Sequence, residues 1–144
     1  MTIIHHAPEV FTALTNLSLP DDQIAPVLSG DAPIPDTAYP MPVIARQLKQ
    51  HLHLSQDESA RLLGISRGTV TRHVPPTGDI LDRLYVLSSR YSLVQDVLGP
   101  HADEWFRTPH QALGGMRPLD ALRTRHGQAR LDDLLQGLLD GNFL

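Results

Sequence analysis

Between Gly78 and the pair Gly99-Pro100, the residues Ile80, Leu84, Leu87, Tyr91, Val94 and Leu98 follow one another at spacings of 4, 3, 4, 3 and 4. Side chains at that period fall on one face of an α-helix, whereas a strand would throw them alternately to opposite faces. Leu81, Val86, Leu93 and Val97 widen the stripe, so the helix is expected to be buried around much of its circumference. A helix of that kind needs other elements packed around it. No stretch of the chain alternates apolar and polar residues convincingly, so the fold class expected is all-α.

The remaining segments are cut short by twelve prolines and ten glycines. Two short helices are expected near Glu9–Leu17 and Asp21–Leu28, the second opened by Pro20-Asp21-Asp22. Closely spaced prolines make residues 30–42 a linker or a surface arm. Pro42 opens a helix to about Leu52 with Val43, Ile44 and Leu48 on its apolar face. Ser55-Gln56-Asp57-Glu58 has the pattern of a capping box and opens a helix ending at Gly64. Ser66 caps another, expected to run through His73 until Val74-Pro75-Pro76. Beyond Gly99, helices are expected at Ala102–Phe106, Pro118 to about Arg125 and Gln128 to about Leu139, with a turn at Pro109–Leu113.

The charge is uneven, although the net value is only −4. Residues 1–41 carry five acids and no Lys or Arg, residues 42–77 carry five cations against two acids, and residues 78–144 carry seven arginines against nine acids. The single basic segment is therefore the middle one. Three parts are expected: a Pro-rich acidic extension at 1–41, a helical unit at 42–98 and a second at 99–144. With no cysteine, the chain has no disulfide scaffold and no thiol chemistry, which suits a reducing compartment. No leader pattern and no apolar run near the roughly 20 residues of a membrane span is present, so a cytoplasmic protein with no membrane partner is expected.

Within the basic segment, Leu54 to Val74 reads LSQDESARLLGISRGTVTRHV. Two helices that cross closely need a small residue at the contact, supplied by Ala60. They need a tight or left-handed turn between them, supplied by Gly64 without a Cβ penalty. Ile65 and Val70 plug the angle, and Leu62, Leu63 and Val74 complete the apolar side. This is the pattern of a helix-turn-helix, whose second helix enters the major groove of double-stranded DNA. Arg67, Gly68, Thr71 and Arg72 then lie on the exposed side. Either arginine would suit guanine acceptors, and Thr71 a base edge or a thymine methyl. Gln56, Ser66 and Thr69, with Arg46 or Lys49, suit phosphates. Gly68, early in the reading helix, costs roughly 0.5–1 kcal/mol of helix stability relative to Ala.

The stretch from Trp105 to Gly127 holds four arginines, two histidines and an aspartate, yet it matches no catalytic pattern. There is no G-x-S-x-G elbow, no H-E-x-x-H pair and no phosphate loop, and His101, His110 and His126 lie on separate turns. Neither an enzyme, a metal site nor a bound cofactor is expected. Leu113, Leu119, Leu122, Leu131, Leu134, Leu135, Leu138 and Leu139 read as core at helical spacing.

Trp105-Phe106-x-Thr108-Pro109-x-x-Ala112-Leu113-Gly114-Gly115-x-x-Pro118-Leu119-Asp120-x-Leu122-x-Thr124-x-x-Gly127, followed by Leu134-Leu135-x-Gly137-Leu138-x-x-Gly141, resembles the toxin-binding domain of the Xre/MbcA/ParS-like antitoxin family. Leu63-Gly64-Ile65-Ser66-x-x-Thr69-Val70-x-Arg72, with the helix from Leu84 to Val97, is similar to the family's Xre-type DNA-binding half. The resemblance covers about residues 42–144 and leaves 1–41 without a counterpart. It implies a type II antitoxin that neutralises a RES-domain toxin, an NAD⁺-degrading enzyme, by covering its active site. It also implies a homodimer that represses its own operon through promoter DNA. Trp105, Pro109, Leu113, Gly114, Pro118, Leu119, Leu122 and Gly127 then shape the domain. Arg117, Arg123, Arg125, Asn142 and Phe143, being polar, exposed or terminal, are expected to face the toxin. The alternative is a freestanding helix-turn-helix transcriptional regulator that uses the C-terminal unit for oligomerisation.

Overall fold

The computed structural model describes residues 7–141. Within them the chain is all-α, with helices α1 (Ala7–Thr15), α2 (Asp21–Ser29), α3 (Met41–Leu52), α4 (Gln56–Leu63), α5 (Arg67–Thr71), α6 (Gly78–Leu98), α7 (Ala102–Arg107), α8 (Pro118–Ala121) and α9 (Arg125–Leu139). Single 3₁₀ turns lie at Gly99–His101 and Gln111–Leu113. Among the described residues, no helix is long and apolar enough to cross a membrane.

Helix α6 is the axis of the molecule, and Thr77 caps its start by accepting the Ile80 amide at 3.2 Å. Its stripe behaves as the spacing requires: Ile80, Leu84, Leu87 and Val94 are buried, and Leu81 with them. Tyr91, Leu93, Val97 and Leu98 are half-buried against the same core. One contiguous cluster runs from Phe11 and Leu14 on α1, through Met41, Ile44 and Leu48 on α3, to Phe106, Leu113, Leu119, Leu131, Leu135 and Leu138.

The N-terminal stretch is not the appendage its prolines suggest. Phe11, Leu14, Leu17 and Val27 are buried, and Phe11 meets Tyr85 of α6 edge to face with ring centroids 5.5 Å apart. Pro20 precedes α2 and Pro26 lies inside it, yet the apolar stripe still forms and packs on α6. Gly78 marks the closeness of that packing, since an added Cβ would lie 3.2 Å from the Leu28 carbonyl oxygen. Residues 30–40 are irregular, as expected of the linker, but they are strapped down. The Tyr39 amide donates to the Thr15 carbonyl at 2.8 Å, the Asn16 side chain donates to the Thr37 carbonyl at 2.9 Å, and Ile34, Ala38 and Tyr39 pack on the core. The stripe of α1 decided this, and proline counting alone missed it.

Two boundaries also differ from expectation. Helix α5 stops at Thr71, because Arg72 is extended at φ −77°, ψ 138°. Helix α9 begins at Arg125 rather than Gln128, because Thr124 caps it by accepting the Gly127 amide at 2.9 Å. The shorter α8 follows from the same cap.

Candidate functional site

The pair α4–α5 is built from small parts. Ser55 and Glu58 close the capping box reciprocally, each side chain accepting the other's backbone amide at 3.1 Å. Gly64 ends α4 in the left-handed region at φ 68°, with the Arg83 guanidinium carbon 3.3 Å from where a Cβ would sit. Ala60 and Val70 are buried against Ala45 of α3, and Ile65 packs beside them. Four apolar side chains, two of them alanines, thus pack α5 against α3 and α4, while Leu62 and Leu63 anchor α4 in the main core.

On the outer side, Gln56, Ser66, Arg67, Gly68, Thr71 and Arg72 are exposed and Thr69 is half-buried. Several of these polar groups are already engaged. The Ser66 hydroxyl accepts the Thr69 amide at 3.1 Å and pairs with the Thr69 hydroxyl at 2.9 Å. The Thr71 hydroxyl donates to the Gly68 carbonyl at 3.1 Å. Arg67 lies 3.5 Å from Asp57, both well exposed. Arg72 leaves the helix end instead of standing on its face. A groove of about 550 Å³ runs between α3 and α5, with Arg46, Lys49, Gln56, Asp57, Arg67 and Thr71 on its rim. Gly68 has room for a side chain, as an added Cβ would come no nearer than 3.8 Å to the Ser66 oxygen.

The C-terminal region is larger and tighter. Trp105 meets Phe106 edge to face at 5.2 Å, Phe106 stacks on Tyr91 at 5.7 Å, and His110 tilts against Trp105 at 5.1 Å. Burial, together with the bond to Asp103 at 2.8 Å, pushes the Tyr91 phenol up. Gly114 and Gly115 take φ of 66° and 87°, a turn that L side chains rarely adopt. The loop they make is closed by the His110 amide donating to the Met116 carbonyl at 3.1 Å, and Arg130 donates to Ala112 at 2.8 Å. Gly127 is buried beneath α8, and a Cβ there would collide with the Ala121 carbonyl oxygen.

Of the residues expected to face a partner here, Arg123 and Arg125 are exposed, while Asn142 and Phe143 lie outside the described residues. Arg117 departs from the expectation. Its guanidinium donates to Asp120 at 2.9 and 3.2 Å and lies 3.7 Å from Glu58, with the side chain only 28% exposed. A charged side chain with carboxylates in reach pairs with them, so Arg117 contributes to the junction with α4.

That junction was not legible in the sequence. Arg107, on α7, donates to Glu58 at 3.0 Å and to the carbonyls of His53 at 2.6 Å and Leu52 at 3.4 Å. Burial pushes the Glu58 carboxyl up, but the Ser55 amide and the two guanidiniums outweigh it and hold the group below its usual 4.5. The hydrogen bond from Arg117 holds the Asp120 carboxyl down, against the opposing effect of burial. The capping box pointed to Glu58, but no local pattern pointed to Arg107.

Among the described residues, no three of His, Asp and Glu gather so as to hold a metal ion. Residues 93–141 match the antitoxin Xre/MbcA/ParS C-terminal toxin-binding domain, a stretch that begins within α6 and ends just past α9. No curated protein matches the chain significantly. The matched family is one of antitoxins, a regulatory rather than an enzymatic role. Over that stretch the chain is therefore similar to the Xre/MbcA/ParS antitoxins.

Proposed function

We propose that the chain neutralises a RES-type, NAD⁺-degrading toxin by covering its active site, and that it represses its own operon as a dimer bound to promoter DNA. The observation that carries the reading is the match of residues 93–141 to the antitoxin C-terminal toxin-binding domain. The choice of a RES toxin rests on the resemblance of the Trp105–Gly127 and Leu134–Gly141 patterns. Arg123 and Arg125, both exposed, are the cations offered to the toxin, together with Asn142 and Phe143. In this reading residues 99–144 form the toxin-binding unit and the region from 42 to 98 the DNA-binding one.

The DNA reading is supported by the exposed rim of Arg46, Lys49, Gln56 and Arg67 beside the short helix α5. Cations along one groove attract a phosphate backbone, and Arg67 is the residue placed to reach base edges. Ser66 and Thr69 then act through backbone shape, because their hydroxyls are committed to the cap.

The test is co-expression with the product of the adjacent reading frame. A stable complex and restored cellular NAD⁺ are expected; separate, non-interacting proteins would instead leave a freestanding regulator. For DNA, the double variant Arg67→Ala, Arg72→Ala is expected to lose binding to the upstream duplex. Undiminished affinity at moderate salt rejects the assignment of α5.

A further inference from the structure

The loop from Gln111 to Met116 carries no charged side chain, although Arg107 and Arg117 flank it in sequence. Its backbone is closed on itself. The amides of Leu113 and Gly115 donate to the His110 carbonyl at 3.1 and 2.9 Å, that of Gly114 to Gln111 at 2.9 Å and that of Met116 to Leu113 at 3.2 Å. Four successive amides are thereby used, so the two glycines form no cradle for an anion. Leu113 is fully buried and roots the loop in the core, and Arg130 of α9 holds the Ala112 carbonyl at 2.8 Å. The outer face that remains is small and mostly apolar, with Ala112, Gly114, Gly115 and Met116 exposed. Among the described residues, Met116 is the large apolar side chain left at the surface, 37% exposed. A rigid, uncharged tip ending in a thioether suits a recess on a protein. Its backbone is ordered before binding, and methionine adapts to an irregular apolar wall.

We propose that Met116 is the apolar anchor of toxin recognition, entering a recess on the toxin while Gly114 and Gly115 keep its flanks bare. The inference rests on the toxin reading above and adds to it an uncharged contact that the arginines do not supply. Three observations choose the occupant. The loop lies inside residues 93–141, the stretch that matches the toxin-binding domain. It holds no cation to meet a phosphate backbone. A second copy is disfavoured by size, since two six-residue tips apposed about a two-fold axis fall well short of the roughly 800 Å² per partner that a stable dimer buries. The tip is therefore one anchor within a wider contact, to which Arg123 and Arg125 contribute charge.

The test titrates the purified full chain against the product of the adjacent reading frame and compares dissociation constants. Met116→Ala is expected to weaken binding about tenfold or more, as loss of an interface anchor does. Met116→Leu, which keeps the volume, should stay within about threefold of the wild type. Gly115→Asn hangs a side chain on the tip. Its φ of 87° is one that asparagine tolerates, and an added Cβ meets nothing within 4 Å. Gly30→Asn is the matched control, since Gly30 shares the φ of 87° and the open surroundings but ends α2, outside the matched stretch. The two asparagine variants should melt within about 5 °C of each other. Only Gly115→Asn should lose toxin affinity, by about tenfold or more. Should Gly115→Asn melt far below Gly30→Asn, the two Met116 variants decide. Unchanged affinity in Met116→Ala and Gly115→Asn overturns the inference, while binding by the wild type keeps the toxin reading. Absence of binding by the wild type sinks the toxin reading and the anchor with it. Sedimentation of the free chains tests the other occupant: an oligomer lost in Met116→Ala assigns the tip to a second copy and likewise overturns the proposal.

Discussion

The α4–α5 pair and the C-terminal region treat their cations in opposite ways. Around α5, Arg46, Lys49, Arg67 and Arg72 stand at the surface over the satellite cluster of Ala45, Ala60, Val70 and Ile65. In the C-terminal region Arg107, Arg117 and Arg130 are turned back onto carboxylates and carbonyls, over a core that includes Phe106, Leu113, Leu131 and Leu135. Arginine abundance is thus a poor guide to a binding surface. The deciding quantity is how many acceptors the fold puts within reach of each guanidinium. Where short helices leave their carbonyl ends near an arginine, the fold consumes it; where the helix is short and its hydroxyls cap its own amides, the arginine stays at the surface.

The same glycine-to-alanine change should divide the two regions most sharply. Gly127→Ala places a methyl group against the Ala121 backbone, which has no room to give, and is expected to cost about 3 kcal/mol. A thermal melt checks this, and an unchanged Tm would mean α8 and α9 approach less closely than described. Next in size, Arg117→Ala is expected to cost about 1 kcal/mol, since its charged hydrogen bonds are partly screened by solvent. Arg123→Ala should stay within about 0.5 kcal/mol in denaturant titrations. Toxin capture should respond the other way, weakening with Arg123→Ala at unchanged stability. Equal stability effects would erase the contrast between the two arginines.

Acid should reach the junction before it reaches α5. The Glu58 and Asp120 carboxyls are held below their usual values of 4.5 and 3.8, so their contribution is complete above those values and is lost as pH falls through the lower folded ones. Urea midpoints for the wild type should therefore approach those of Glu58→Gln as the pH drops below 4.5. Parallel midpoints across that range would show the carboxylate to be unimportant. An effect opposite in sign to Gly127→Ala is expected for Gly68→Ala: a gain of about 0.5–1 kcal/mol, because the site is helical and open. If that variant also binds duplex DNA as well as the wild type, no close backbone approach occurs at residue 68.

Much of the fold was legible because it rests on local rules. The stripe of α6, the capping box of α4, the small Ala60 and the left-handed Gly64 are each set by residues within a few positions of one another. The C-terminal motif was legible for the same reason, being a run of turn-forming and apolar residues in a fixed order. The candidate site was legible only in part. Residue types around α5 pointed to a cationic face, but which hydroxyls remain unused there depended on caps formed after folding. The junction at Glu58 was not legible because Arg107 and Arg117 lie 49 and 59 positions away from it in sequence, separations no local pattern spans.

By itself, then, the sequence determined an all-α chain, its central helix, the shape of the α4–α5 turn and the likeness of its C-terminal region to a toxin-binding domain. These follow from periodicity, caps and glycine conformations, which are near-neighbour properties. Only the tertiary structure decided that the Pro-rich N-terminal helices belong to the core, that Arg107 and Arg117 face inward, and that Glu58 joins the two regions. Those outcomes depend on which charged and apolar groups meet once distant segments are packed together, and burial and electrostatics settle them in three dimensions.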